Sequence, residues 1–270
     1  MSTASAPMEI GRVRLIVRDL TRVADFYATA LGLEKLSADA SQVTLGAGNR
    51  ALVELTADKA ARVRSPRQAG LFHTASLLPK RADLGAWVHH ASESRLPVQG
   101  ASDHKVSEAI YFADPEGNGI EIYMDRPRVA WTDAKGAIAM TTDHLDVPDL
   151  AASARGPWTG APEGTVVGHV HLQVGNVPEA EAFYSGQLGF AITAHYPGAA
   201  FYGSGGYHHH FATNIWNSRG AGTRQPGTGL AGVEVLADAA ALTAITARTG
   251  GKTALSDPWG TEITLTGKAA

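Results

Sequence analysis

Apolar and polar residues alternate in short bursts along the chain, and each burst leads into a stretch where apolar residues recur every three or four positions. "RVRLIVRDLTRVADFYATALGL", from Arg12, and "HVHLQVGNVPEAEAFYSGQLGF", from His169, show this twice in register. The alternating part predicts a strand and the second part predicts a helix. Phe26-Tyr27 and Phe183-Tyr184 occupy matching helical places, and each helix closes on Leu-Gly. A glycine there suits a left-handed C-terminal cap. The first copy is followed by "SQVTLGAG" and "ALVELT", the second by "AAFYGSGG" and "YHHHFATNIW", all of strand length and pattern. The predicted unit is β-α-β-β-β.

Two weaker copies fill the rest. "GLFHTASLLPKRADLGAWVHHASESRL" reads as strand then helix, followed by "SEAIYFADPEGNGIEIYMD", two strands around a "DPEGNG" turn. "GLAGVEVLADAAALTAITARTGG" and "KTALSDPWGTEITLTG" repeat that plan. The four modules run over about residues 8–60, 68–127, 165–217 and 228–268. Residues 8–127 thus carry modules 1 and 2, and residues 165–268 carry modules 3 and 4. The segment 128–164 between them, rich in Pro, Gly and Ala, is expected to be a connecting arm with little structure of its own. One module cannot bury both faces of its sheet, but two can form a cupped open barrel with helices outside. The expected fold class is therefore α+β, with four βαβββ modules forming two cups.

Composition narrows the chemistry. The chain has 270 residues with 44% hydrophobic and 18% charged residues, enough for a core. A formal net charge of -3 without basic runs argues against nucleic acid or an anionic membrane as partner. There are no cysteines, which excludes disulfides and thiolate chemistry. No secretion signal and no bilayer-length apolar run are visible, so a cytoplasmic protein is expected. Any reaction must come from His, Asp, Glu, Tyr or a bound cofactor.

Equivalent first-strand positions hold Arg12, His73, His169 and Ala231 in modules 1 to 4. On the last strands module 2 has Glu121, module 4 has Thr264 with Glu262 two residues earlier, module 1 has Glu54, and module 3 has the run His208-His209-His210. Metal-binding residue types gather in modules 2 and 3. Pairing 2 with 3, and 1 with 4, would give one cup two imidazoles and a carboxylate and leave the other inert. Two His and one carboxylate form the facial triad expected of non-haem Fe(II) enzymes, and Mn(II) suits the same ligands.

The block "DHKVSEAIYFADPEGNGIEIYMDRP" resembles the end of the catalytic half of type I extradiol ring-cleaving dioxygenases, the catechol 2,3-dioxygenases of the vicinal oxygen chelate superfamily. The resemblance to the four-module bacterial branch covers essentially residues 8–268. It implies His73, His169 and Glu121 as metal ligands, and His104 and Tyr111 around the bound ring and oxygen, with Tyr111 catalytic. It implies His209 as the acid–base histidine, with His210 its rival because a slip of one residue flips strand faces. On strand alternation, His208 and His210 would face away from His209. Tyr123 could line the cleft, and His104, His210 and Tyr123 are the candidate substrate contacts. Well-known members keep their ligands in the last two modules, whereas here they lie in the second and third.

The implied activity is Fe(II)-dependent cleavage of catechol or a substituted catechol beside its hydroxyls, with O₂ as co-substrate. Rivals on the same scaffold are a glyoxalase-type metal-dependent lyase or isomerase and a metal-free drug-sequestering protein. His171 shares a face with His169. His89, His90, His144 and His195 read as surface residues, and Trp216 and Trp259 as core. Two cups per chain and a sheet edge left open would suit a homo-oligomer.

Overall fold

The computed structural model describes residue 3 and residues 6–134 and 136–268. Module 1 comprises β1 (Met8–Val17), α1 (Leu20–Ala30), β2 (Glu34–Ala38), β3 (Gln42–Ala47) and β4 (Arg50–Ala57). Module 2 comprises β5 (Gly70–Leu77), α2 (Arg81–Glu93), β6 (Gly100–Asp103), β7 (Ser107–Ala113) and β8 (Gly119–Asp125). A short helix α3 (Val147–Ala152) lies in the arm. Module 3 holds β9 (Val166–Gln173), α4 (Val177–Glu181) running into a π-helical turn, β10 (Ala191–Tyr196), β11 (Ala199–Gly203) and β12 (Phe211–Asn214). Module 4 holds β13 (Gly229–Ala237), α5 (Ala239–Arg248), β14 (Ala254–Ser256) and β15 (Glu262–Gly267). This last module is one strand short of the expected plan. Its chain from α5 to β15 spans only Thr249 to Thr261, against Ser94 to Asn118 in module 2, and that leaves room for a single short strand.

The helices form where local sequence favours them. Asp19 accepts from the Arg22 N–H at 3.1 Å and caps α1, and Asp238 accepts from Ala241 at 2.8 Å and caps α5. In α1 the buried side chains are Val23, Ala24, Tyr27 and Ala30, one stripe at helical spacing. Gly32, past the end of α1, adopts φ 65, and Gly189, after the π-helical turn, adopts φ 85. Both occupy the left-handed region expected of the Leu-Gly pairs.

The strands form two mixed sheets. One runs β14-β15-β13-β1-β4-β3-β2, and the other β10-β11-β12-β9-β5-β8-β7-β6. Modules 1 and 4 therefore share a sheet through β1 and β13, and modules 2 and 3 share one through β5 and β9, as the asymmetry of metal-binding residues required. The β5–β9 seam is antiparallel and sets Ala75 opposite His169 and His73 opposite His171. Strand β8 runs parallel to β5 with Glu121 opposite Ala75, and β7 sets Tyr111 opposite Glu121. Side chains two apart on a strand share a face. His73, Tyr111, Glu121, His169 and His171 thus gather on one face of this sheet. Its other face carries Ile120, Ile122, Val170 and Leu172 into the main core.

The seven-stranded sheet carries no such set. Arg12 stands where modules 2 and 3 have histidine, and its guanidinium reaches Glu54 at 3.1 Å and Glu234 at 3.5 Å. Arg14 pairs with Glu262 at 2.9 Å. This cup is laced with ion pairs between opposite charges.

The arm is more ordered than its composition suggested. A bridge joins Asp143 to Asp103 at the end of β6, and another closes a small loop between Thr132 and Ile138. Trp131 is buried, and its indole N–H donates to the Arg126 carbonyl at 2.7 Å. Among the described residues no helix is long and apolar enough to cross a membrane.

Close packing along the seam yields a stability test. A Cβ added at Gly168 would overlap the Tyr123 hydroxyl. That hydroxyl is tied to the Tyr207 hydroxyl at 2.7 Å, a bond that any retreat would strain. Gly168→Ala is expected to cost about 1–3 kcal/mol of stability, read as a lower denaturation midpoint at an unchanged urea m-value.

Candidate metal centre

Burial of polar side chains marks the site. His73, Glu121 and His169 are all buried, at 7%, 2% and 2% exposure. A buried carboxylate needs a partner, and a bare imidazole nitrogen in a protein interior is costly. His169 Nε2 lies 3.2 Å from Glu121 Oε2, within hydrogen-bond reach. His73 Nε2 lies 3.0 Å from the same oxygen but makes no hydrogen bond with it or with any other atom. One ligand atom from each residue falls within 4.8 Å of the other two. Three donors aimed at a common point, with one nitrogen left orphaned, fit a metal ion better than they fit one another.

The electrostatics suit ligation. Burial alone would raise the Glu121 carboxyl, but the adjacent His169 and His73 overcome it and hold it well below its ordinary value. Glu121 is thus an anion. Burial, against the pull of Glu121, lowers His169 and keeps its imidazole neutral near pH 7, the form that binds a metal.

Beside this floor lies a cavity of about 450 Å³, within the range of small-molecule sites. Phe72, Phe201 and Trp216 form an aromatic wall, with Phe72 and Trp216 at 5.6 Å in an edge-on arrangement. Tyr111, His104, His171 and His209 also line the cavity. Ile138, Met140 and Thr141 of the arm close another side.

Three of the polar lining groups have a defined hydrogen-bonding state. His104 Nδ1 donates to the Thr141 carbonyl at 2.5 Å, so in a neutral ring Nε2 is the acceptor. It takes the Tyr111 hydroxyl proton at 2.6 Å. The Tyr111 oxygen therefore keeps its lone pairs for a ligand, and burial followed by the nearby Glu121 pushes the phenol well above its ordinary value. Asn214 Oδ1 accepts the Trp216 N–H at 3.1 Å, so its amide N–H donates to His171 Nε2 at 3.0 Å. His171 then carries its own proton on Nδ1.

The structure separates the three consecutive histidines. They precede β12 rather than lie within it, so strand alternation does not govern them. Gly205 and Gly206, with φ 60 and 70, turn the chain just before the run. His209 packs against His169 in a tilted arrangement, with ring centroids 4.1 Å apart, and lines the cavity. Burial, then the nearby His169 and His208, holds it well below the usual imidazole range. His208 does not point away from it, because the two Nδ1 atoms lie 2.8 Å apart. His210 is fully buried against Tyr207 and Phe190 and accepts the Ser204 N–H.

His210 is not among the cavity-lining residues, and neither is Tyr123, whose hydroxyl is engaged by Tyr207. The geometry therefore gives neither residue a place as a substrate contact. His144 is exposed, while His195, also exposed, sits at the cavity mouth paired with Glu181 at 2.7 Å. Trp259 is core as expected, but Trp216 is 47% exposed and belongs to the cavity wall. The arm residues had only a faint signal, the apolar "AIAM" inside a Gly-rich stretch.

The chain matches the model of the Glyoxalase/Bleomycin resistance protein/Dioxygenase superfamily over residues 9–122 and 166–254. It is 41% identical over 227 residues to the catechol-2,3-dioxygenase of Bacillus subtilis (strain 168), covering 82% of this chain and 79% of that relative. Among solved structures it superposes on a Bacillus subtilis protein assigned as a dioxygenase with a TM-score of 0.67 at 14% identity, over 99% of this chain and 87% of that one. It also superposes on glyoxalase I from Zea mays with a TM-score of 0.58 at 16% identity, over 96% and 92%. At these identities the two structures speak for the shared fold.

The donor set predicts one divalent transition-metal ion per chain. His73→Ala and Glu121→Ala are each expected to weaken its binding by more than about 100-fold, measured by metal content after dialysis against a weak chelator. Wild-type-like metal retention in both variants would remove the site.

Proposed function

The chain belongs to the glyoxalase/bleomycin resistance protein/dioxygenase superfamily, and on that premise we propose that it is an Fe(II)-dependent extradiol dioxygenase acting on catechol or a substituted catechol. The observation that carries the reading is the convergence of His73, Glu121 and His169 at the floor of an aromatic-walled cavity. The 41% identity to a catechol-2,3-dioxygenase supports it independently. The ring carbon bond beside the two hydroxyls breaks, and both atoms of O₂ enter the product, so no outside reductant is needed.

His73, Glu121 and His169 would hold the Fe(II), which would supply a path for ring electrons to reach O₂. The protein's own groups handle the protons and the ring. The aromatic wall of Phe72 and Trp216 takes the face and edge of the diol and keeps water away. His209, neutral through burial, is placed to accept a hydroxyl proton as the diol binds and to return it as the ring opens. Tyr111, its proton committed to His104, offers its oxygen as acceptor to a ligand hydroxyl. His171 offers an N–H donor from the opposite strand.

Anaerobic loading with Fe(II) followed by catechol in air tests the reading. One O₂ is expected to be consumed per catechol, with a yellow ring-opened product. His209→Asn is expected to lower kcat by about 10²–10⁴-fold while retaining the metal. Tight metal binding without O₂ uptake on any catechol would turn the reading toward a metal-dependent lyase or isomerase.

A further inference from the structure

Asp125 and His208 do not line the cavity, yet they form a hydrogen-bonded line that ends on a residue that does. His208 Nε2 lies 2.8 Å from Asp125 Oδ1, and His208 Nδ1 lies 2.8 Å from His209 Nδ1. A carboxylate only accepts, so His208 donates from Nε2. While His208 is neutral it carries a single N–H, and its Nδ1 is then bare and accepts. His209 is then the donor of the second bond, from its own Nδ1, and its Nε2 is left as a lone pair.

We infer that Asp125 and His208 are positioning residues that lock His209 in the tautomer whose bare Nε2 serves as the base toward a substrate hydroxyl. The inference rests on the dioxygenase reading and adds to it two residues that act through His209. The line is built rather than incidental. His208 is fully buried, and its ring is flanked by Tyr207 at 4.1 Å and by Trp131 of the arm at 4.9 Å. The Tyr207 hydroxyl donates to the same Asp125 oxygen at 3.2 Å and in turn takes the Tyr123 proton at 2.7 Å. The two tyrosine hydroxyls thus also donate toward Asp125. Tyr123 and Trp131, which the cavity does not use, find their place in this support. His209 itself packs against His169, so a rotation of its ring would disturb that contact as well.

Asp125→Asn tests the direction of the line, because its amide N–H can donate to His208 Nε2 and reverse both bonds. The full-length chain loaded with diamagnetic Zn(II) is labelled with nitrogen-15 histidine, and the two ring nitrogens of His209 are read by NMR. In the parent chain Nδ1 is expected to be protonated and Nε2 bare. In Asp125→Asn the proton is expected on Nε2, and the Fe(II)-loaded variant is expected to lose at least about 100-fold in kcat with little change in KM.

His208→Gln can accept from His209 and donate to Asp125, and it is expected to keep kcat within about ten-fold of the parent, whereas His208→Leu falls with Asp125→Asn. A protonated Nε2 in the parent chain, or an unchanged kcat in Asp125→Asn, would overturn the inference. If Asp125→Asn does not fold, equal activity of the His208 Gln and Leu variants would overturn it instead. The nitrogen readout needs no turnover. A parent chain inactive on every catechol but with the expected tautomer would fail the dioxygenase reading alone.

Discussion

Strands β5 and β9 come from modules separated by the whole connecting arm, and the antiparallel ladder between them sets the geometry of everything around the site. Pairing Ala75 with His169 places His73 and His169 on neighbouring strands of one face. Parallel addition of β8 then brings Glu121 alongside. A shift of one residue anywhere in that seam would turn one imidazole into the core and expose an apolar side chain in its place. The core side chains Val170 and Leu172 are therefore as much a part of the ligand geometry as the ligands themselves, since their burial holds the register.

Around that floor, hydrogen bonds assign a proton to several of the polar side chains that a ligand can meet. The Thr141 carbonyl commits the His104 ring, which commits the Tyr111 hydroxyl. The Trp216 N–H commits the Asn214 amide, which commits His171. Asp125 commits His208, which commits His209. Each chain ends in a carbonyl, a peptide N–H or a carboxylate whose role is chemically fixed. The cavity thereby offers acceptors and donors in set places before anything enters it, and little reorganisation is left for the moment of reaction.

Much of this was legible in the chain itself. The repeat, the helix caps and the gathering of His73, Glu121 and His169 in modules 2 and 3 follow from periodicity and residue type, which act locally. The pairing of modules was legible because only one pairing leaves no half-finished ligand set. The triple histidine was not, since its side-chain directions depend on the turn at Gly205 and Gly206 and on Asp125, far away in sequence. The arm misled for a similar reason. Its Pro and Gly content argues for irregular backbone, and it is irregular, but Trp131, Ile138 and Met140 are fixed by contacts that no local pattern encodes. Trp216 read as core because tryptophan usually is, whereas a binding cavity gives an aromatic ring another place to be half-buried.

The sheet shared by modules 1 and 4 carries a consequence for how the molecule comes into being. Strand β1 finds its partner β13 only when Gly229–Ala237, some two hundred residues later, has been synthesised. Contacts of such sequence separation are slow to form, because a long loop must close before they stabilise anything. During synthesis β1 would wait on a ribosome-bound chain with one edge unpaired, while the β5–β9 ladder around the metal-binding residues can close earlier. An unpaired strand edge invites pairing with other chains. Arg12 on β1, paired with Glu54 of β4, places charge on that waiting strand, where it discourages the wrong neighbour until β13 arrives with Glu234.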